Sequence, residues 1–232
     1  MTESPLRPIH LHDLTLLPDR VLGAPPVTAH LESRLSFGWD VLPVNQSLMP
    51  ESWYSYATAS APQRTYCHLI LICSFHPETV ANPGAITSAS LGVSLKSTNA
   101  PETPPKARKI DPGKRLRPLQ NGPSTGTVNL TARIPGGLAE LGYTGQLPQN
   151  SDPWIVQGHG ESQSTPVWQF RGTSQYPLIG DHPLHALIET TATRDDTAEV
   201  LLAAEIQHRR FGIRRYQAQL PPLLSAIPLT SV

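Results

Sequence analysis

From Val27 to Val41 the odd positions read Val27, Ala29, Leu31, Ser33, Leu35, Phe37, Trp39 and Val41. The even ones read Thr28, His30, Glu32, Arg34, Ser36, Gly38, Asp40 and Leu42. A period of two puts one face of a strand in a core and the other in water, and no helix can bury such a set on one side. The pattern predicts a strand, or two joined by a bend at Gly38, with its odd face buried and its even face wet. Tyr66 to Phe75 is apolar on both faces and predicts a central strand. Ala85 to Leu95 alternates again, with Ala85, Thr87, Ala89, Leu91, Val93 and Leu95 against Ile86, Ser88, Ser90, Gly92 and Ser94. Thr127 to Ile134 places Val128, Leu130, Ala132 and Ile134 on one face, and shorter strands are predicted at Trp154–Gln157 and Val167–Arg171.

Asp195 to Ile213 reads two ways. Asp195-Asp196-Thr197 offers an acidic helix start, and His208-Arg209-Arg210 before Gly212 a helix end. Yet Val200, Leu202, Ala204 and Ile206 line one face of a strand equally well, so residues 198–211 stay open between helix and strand. The expected fold class is mainly β, an antiparallel sandwich of one large or two small units with at most one C-terminal helix. The expected organisation is an extended arm over 1–26, a β unit over 27–96, a proline-rich basic linker or loop over 97–125, and a second β-rich unit over 126–232 packed with the first.

Composition sharpens this reading. The chain has 232 residues, 25 prolines and 16 glycines, and only 16% of its residues are charged. Turn formers at that density favour short strands and long loops over a helical bundle. A formal net charge of zero points away from nucleic acid as a partner, because phosphate binding needs a net basic face. Residues 1–20 hold no signal-peptide apolar region, the apolar run Leu69–Cys73 is too short to span a bilayer, and the C-terminus carries no lipidation signal. The expected location is the cytoplasm. Cys67 and Cys73, on one strand about 20 Å apart, lie beyond disulfide reach and are expected as reduced core residues.

Candidate chemistry is thin. Gly122-Pro123-Ser124-Thr125-Gly126 fits the serine-hydrolase string but lacks a strand before it and a helix after it, so it reads as a loop. His10-Leu11-His12 has chelate spacing without further anchored ligands, and no metal or cofactor is implied. His159 and Glu161 in a glycine-rich turn, with Asp181, His182 and His185 around Pro183, are the densest titratable groups and the candidate acids and bases of a catalytic alternative. Pro183 favours a surface turn for the second group. Pro101, Pro104, Lys106 and Arg108 belong to an exposed stretch with the shape of a polyproline docking segment, the candidate partner-binding residues. Trp53, Tyr54 and Tyr56 are expected to be core. No P-loop, dinucleotide fingerprint, paired C-x-x-C, H-E-x-x-H or EF-hand loop occurs. The leading expectation is a non-enzymatic β-sandwich that binds another protein or self-associates. The alternative is a small β-barrel or sandwich enzyme acting on a small apolar molecule, of isomerase, cyclase or hydrolase type.

Overall fold

A computed structural model describes residues 9–18, 31–60, 64–79, 84–98, 101–116, 129–133, 140–144, 154–172, 178–190, 195–208 and 212–229, with backbone only at 129–133, 140–144, 208 and 212. The strands are β1 (His12–Pro18), β2 (Leu31–Pro43), β3 (Thr65–Phe75), β4 (Ala85–Ser97), β5 (Lys106–Asp111), β6 (Lys114–Leu116), β7 (Asn129–Arg133), β8 (Glu140–Thr144), β9 (Trp154–His159), β10 (Val167–Arg171), β11 (Gly180–Thr190), β12 (Asp196–His208), β13 (Gly212–Gln219) and β14 (Ala226–Pro228). Two helices, α1 (Glu51–Ser60) and α2 (Pro222–Ser225), complete them. The predicted β class holds: every ladder is antiparallel, and twelve strands form one sheet in the order β5-β11-β3-β2-β1-β13-β12-β4-β10-β9-β6, with β14 beside β12 and β7–β8 as a separate hairpin. Both predicted β units contribute to this one sheet, and the proline-rich stretch supplies β5 and β6.

The sheet curls until it is nearly closed as a barrel. Its two end strands are consecutive in the chain: β5 pairs with β11, then the chain turns over Pro112 and Gly113 and β6 pairs with β9. Ala107 also bonds to the β9–β10 turn, giving its N–H to the Gln163 carbonyl and accepting from the Ser162 N–H. Eleven strands in a round barrel would enclose more space than side chains fill. Here the barrel is flattened. Phe75 and Phe170, with five strands between them along the sheet, meet with ring centroids 5.1 Å apart. The core is continuous: Leu14 and Leu16, Leu35 and Phe37, the odd residues from Cys67 to Phe75, Ala89 to Leu95, Trp168, Phe170, and alternate residues of β11 and β12.

Several expectations are corrected by the packing. The odd residues Leu31, Leu35 and Phe37 are core, but the even face of β2 is not wet: Arg34 is 1% exposed and Ser36 2%. Ser33 takes a left-handed φ of 53°, and the five residues Leu31–Leu35 of β2 stand against the three residues Leu14–Leu16 of β1. That bulge re-aims the strand, so Arg34 lies under the β3–β4 connection and gives its Nη2–H to the Gly84 carbonyl at 2.7 Å. Residues 27–30 fall outside the described part. The open segment 198–211 is strand at least through His208, with Ala198, Val200, Leu202, Ala204 and Ile206 buried. Asp181–His185 belongs to β11, not to a turn. Pro183 faces Ile72 in an unbroken ladder with β3, so its nitrogen is directed to the opposite edge, where β5 has already ended at the Asp111–His185 pair. A strand tolerates proline only where no partner needs its N–H. Trp53 and Ala57 lie one helical turn apart on α1, and with Met49 they cover Tyr66 and Leu187 on the outer face of the sheet. Tyr54 is half-buried and packs against this cluster, while Tyr56 is exposed, with its ring 6.1 Å from that of Tyr66. Cys67 and Cys73 are free and buried, as expected. Among the described residues no helix is long and apolar enough to cross a membrane.

Candidate functional site

The register of β11 separates the predicted acids and bases. Because side chains alternate between faces, His182 points into the barrel and His185 out of it. His182 is 9% exposed and packs edge-on against Phe75 and Phe170, at centroid distances of 5.4 and 5.6 Å. Burial holds its pKa below the ordinary value; the Arg115 charge adds to the effect, while the Ile179 backbone and Asp181 oppose it. The Ile179 backbone is the polar group that acts on the ring at short range, but neither ring nitrogen meets hydrogen-bond geometry with any group among the described residues.

His185 lies on the outer face, where its Nδ1 meets Nε2 of His68 at 3.2 Å. Trp53 of α1 packs edge-on over His68, 6.2 Å between centroids. Burial drives the His68 pKa down to about 4, assisted by His185. One of the facing nitrogens donates to the other, and burial disfavours a charge on either ring. Asp181 is exposed at the start of β11. His159, half-buried at the end of β9, has its pKa lowered by burial. Glu161 is exposed and 3.8 Å from the Lys109 ammonium. The five residues therefore occupy several separate environments.

The candidate docking residues are tied into the sheet. Pro101 is exposed and Pro104 half-buried ahead of β5, and Lys106 opens that strand opposite Glu189. Arg108 gives its Nε–H to Glu189 at 2.5 Å, and Arg64 reaches the same carboxylate oxygen at 2.8 Å. Burial alone would raise the Glu189 pKa, but these two guanidinium groups outweigh it and hold the carboxyl low. His10 and His12 stack edge to face at 4.5 Å, and no group of three metal-ligating residues occurs among the described residues.

A different set of residues converges where β5 hands over to β6. Arg115 pairs directly with Val156, which is fully buried; residues opposite one another in an antiparallel ladder share a face, so Arg115 is directed into the barrel. It acts electrostatically on both His182 and His185 and forms no hydrogen bond or ion pair among the described residues. Trp154 and Trp168 flank it on β9 and β10. They are 4% and 0% exposed, and neither indole N–H has an acceptor among the described residues. A Cβ added at Gly158 would stand 3.1 Å from the Trp168 Nε1 and 2.6 Å from the Pro112 carbonyl, so only glycine lets this corner close. Opposite lies the 180–184 stretch of β11, whose outer edge no described strand pairs. Leu116 and Ile179, 51% and 52% exposed, flank this seam.

Sequence reasoning grouped Arg115 with a solvated basic run, and took Trp154 and Trp168 as ordinary strand residues. One signal was present: Arg115 lies one residue after a Pro-Gly turn, beside a strand whose alternate positions are apolar. His68 carried another, a lone imidazole inside an apolar run. The chain matches no known protein-family model, and no curated protein is detectably similar to it.

Proposed function

We propose that this protein acts by binding, and that its ligand is a small, mainly apolar molecule taken up at the open seam between β6 and β11. The observation that carries this reading is the set of buried ring nitrogens without hydrogen-bond partners among the described residues in that part of the barrel, those of Trp154, Trp168 and His182, with the half-buried Arg115 on the neighbouring strand. A buried donor without an acceptor costs about 1–3 kcal/mol, which is recovered when a ligand brings acceptors. Exposed Leu116 and Ile179 give the mouth an apolar rim, the usual character of a small-molecule site. Phe75 and Phe170 meet across the interior, which leaves the seam as the place of uptake in this reading.

Two other readings have less behind them. Acid–base catalysis by His159, Glu161, Asp181, His182 and His185 needs these groups around one substrate, and they are spread over both faces of the sheet. Docking of another protein on Pro101, Pro104, Lys106 and Arg108 needs a free extended segment, whereas Lys106 and Arg108 lie in a paired strand.

A neutral, environment-sensitive dye such as Nile red tests the proposal on the full chain. Saturable binding with energy transfer from tryptophan is expected, weakened by Leu116→Glu and by Ile179→Glu. No saturable binding, or binding indifferent to both substitutions, would remove the seam from consideration.

A further inference from the structure

We propose that the seam ligand is an organic anion, an apolar body ending in a carboxylate, with Arg115 and His182 holding the head and Leu116 and Ile179 the body; this rests on the seam-binding reading above. The buried polar side chains there are donors, and the nearby carboxylates, Asp111 at the end of β5 and Asp181 at the start of β11, are both exposed. Arg115 contributes a planar fork of N–H groups that matches a carboxylate edge-on, and the two indoles are donors only. His182 supplies a donor from whichever ring nitrogen carries its proton. No carboxylate forms an ion pair with Arg115 among the described residues. Asp181, the acid that acts on His182, is exposed. A second cation would meet Arg115 and be repelled. A neutral ligand would leave the guanidinium's charge uncompensated as it covered the seam, a cost that an anion removes.

The charged groups acting on His182 are Arg115 from β6 and Asp181 from its own strand, while Phe75 and Phe170 supply its packing. A carboxylate placed beside Arg115 neutralises the charge that disfavours the imidazolium. His182 should therefore take up its proton more readily in the complex, and by linkage the anion should bind more tightly as pH falls.

Decanoate and decanol, which share an apolar body and differ in the head, separate the possibilities on the full chain. By tryptophan fluorescence decanoate should bind more tightly than decanol. Arg115→Gln should weaken decanoate by about tenfold to a hundredfold and leave decanol unchanged, and Arg115→Lys should recover part of the loss. A second readout needs no variant: in the native chain, decanoate should raise the NMR titration midpoint of His182, and decanol should not. Equal binding of both ligands with no effect of Arg115→Gln overturns the anion assignment while leaving seam binding intact. Failure of both to bind overturns the two together. Decanoate binding that survives Arg115→Gln, without a change at His182, puts the anion elsewhere and overturns the assignment.

Discussion

Arg34 occupies a position that alternation assigns to solvent, and one backbone dihedral at Ser33 moves it into the protein. Alanine there should cost about 1–3 kcal/mol in a urea melt, because the Gly84 carbonyl loses its buried donor; Glu32→Ala, on an exposed neighbour, should change stability by less than about 0.5 kcal/mol. Equal costs would mean that Arg34 is not anchored as described. His68 gives a second residue-scale expectation. Its folded pKa, about 4, lies below the ordinary 6.5, so the fold favours the neutral ring. The stability it confers is complete above pH 6.5 and is lost as pH falls from there through about 4. Melting temperature should fall over that window, and less steeply in His68→Leu; parallel curves would show that other groups govern the acid limb. Cys67, its thiol pushed up to about 12 by burial, should resist iodoacetamide in the native state. The cysteines were legible because an apolar strand dictates their surroundings. Arg34 was not, since a positive φ at serine leaves no trace in a hydrophobicity pattern.

Among the elements, β4 was legible from its period of two, and β3 because an apolar run of strand length on both faces reads as a central strand. β12 was ambiguous for a physical reason: its alanines and glutamates have high helix propensity, and tertiary pairing with β4 and β13 overrides it. β11 was misread because proline signals a turn unless the reader knows that the strand has a free edge at that point. The helix α1 was missed; its apolar face is little more than Trp53 and Ala57, too small to stand out as a stripe. Packing tests follow from these placements. Leu35→Ala should cost about 2–5 kcal/mol. Trp53→Ala should cost about 3 kcal/mol or more and, by uncovering His68, should return that imidazole toward its ordinary titration range in NMR. A His68 that titrates unchanged in the variant would show that α1 does not control its burial.

For the molecule as a whole, antiparallel β architecture was legible, and the closure that makes a candidate site was not. Closure depends on which strands become neighbours: Lys106 to Leu116 exchanges one partner strand for another within a few residues, and only the assembled sheet shows that Arg115 then comes within electrostatic reach of His182. The same handover leaves part of β11 with an edge that no described strand pairs, and an unpaired edge is a template on which a second polypeptide can add a strand. Pro183 sits in that edge and withholds the backbone donor such an addition would use. Pro183 thus guards the edge against fibrous growth by one missing hydrogen. Pro183→Thr restores the donor. Sedimentation velocity across a concentration series should then show self-association where the native chain shows none, and identical sedimentation of the two would mean that the edge is protected by something other than its proline.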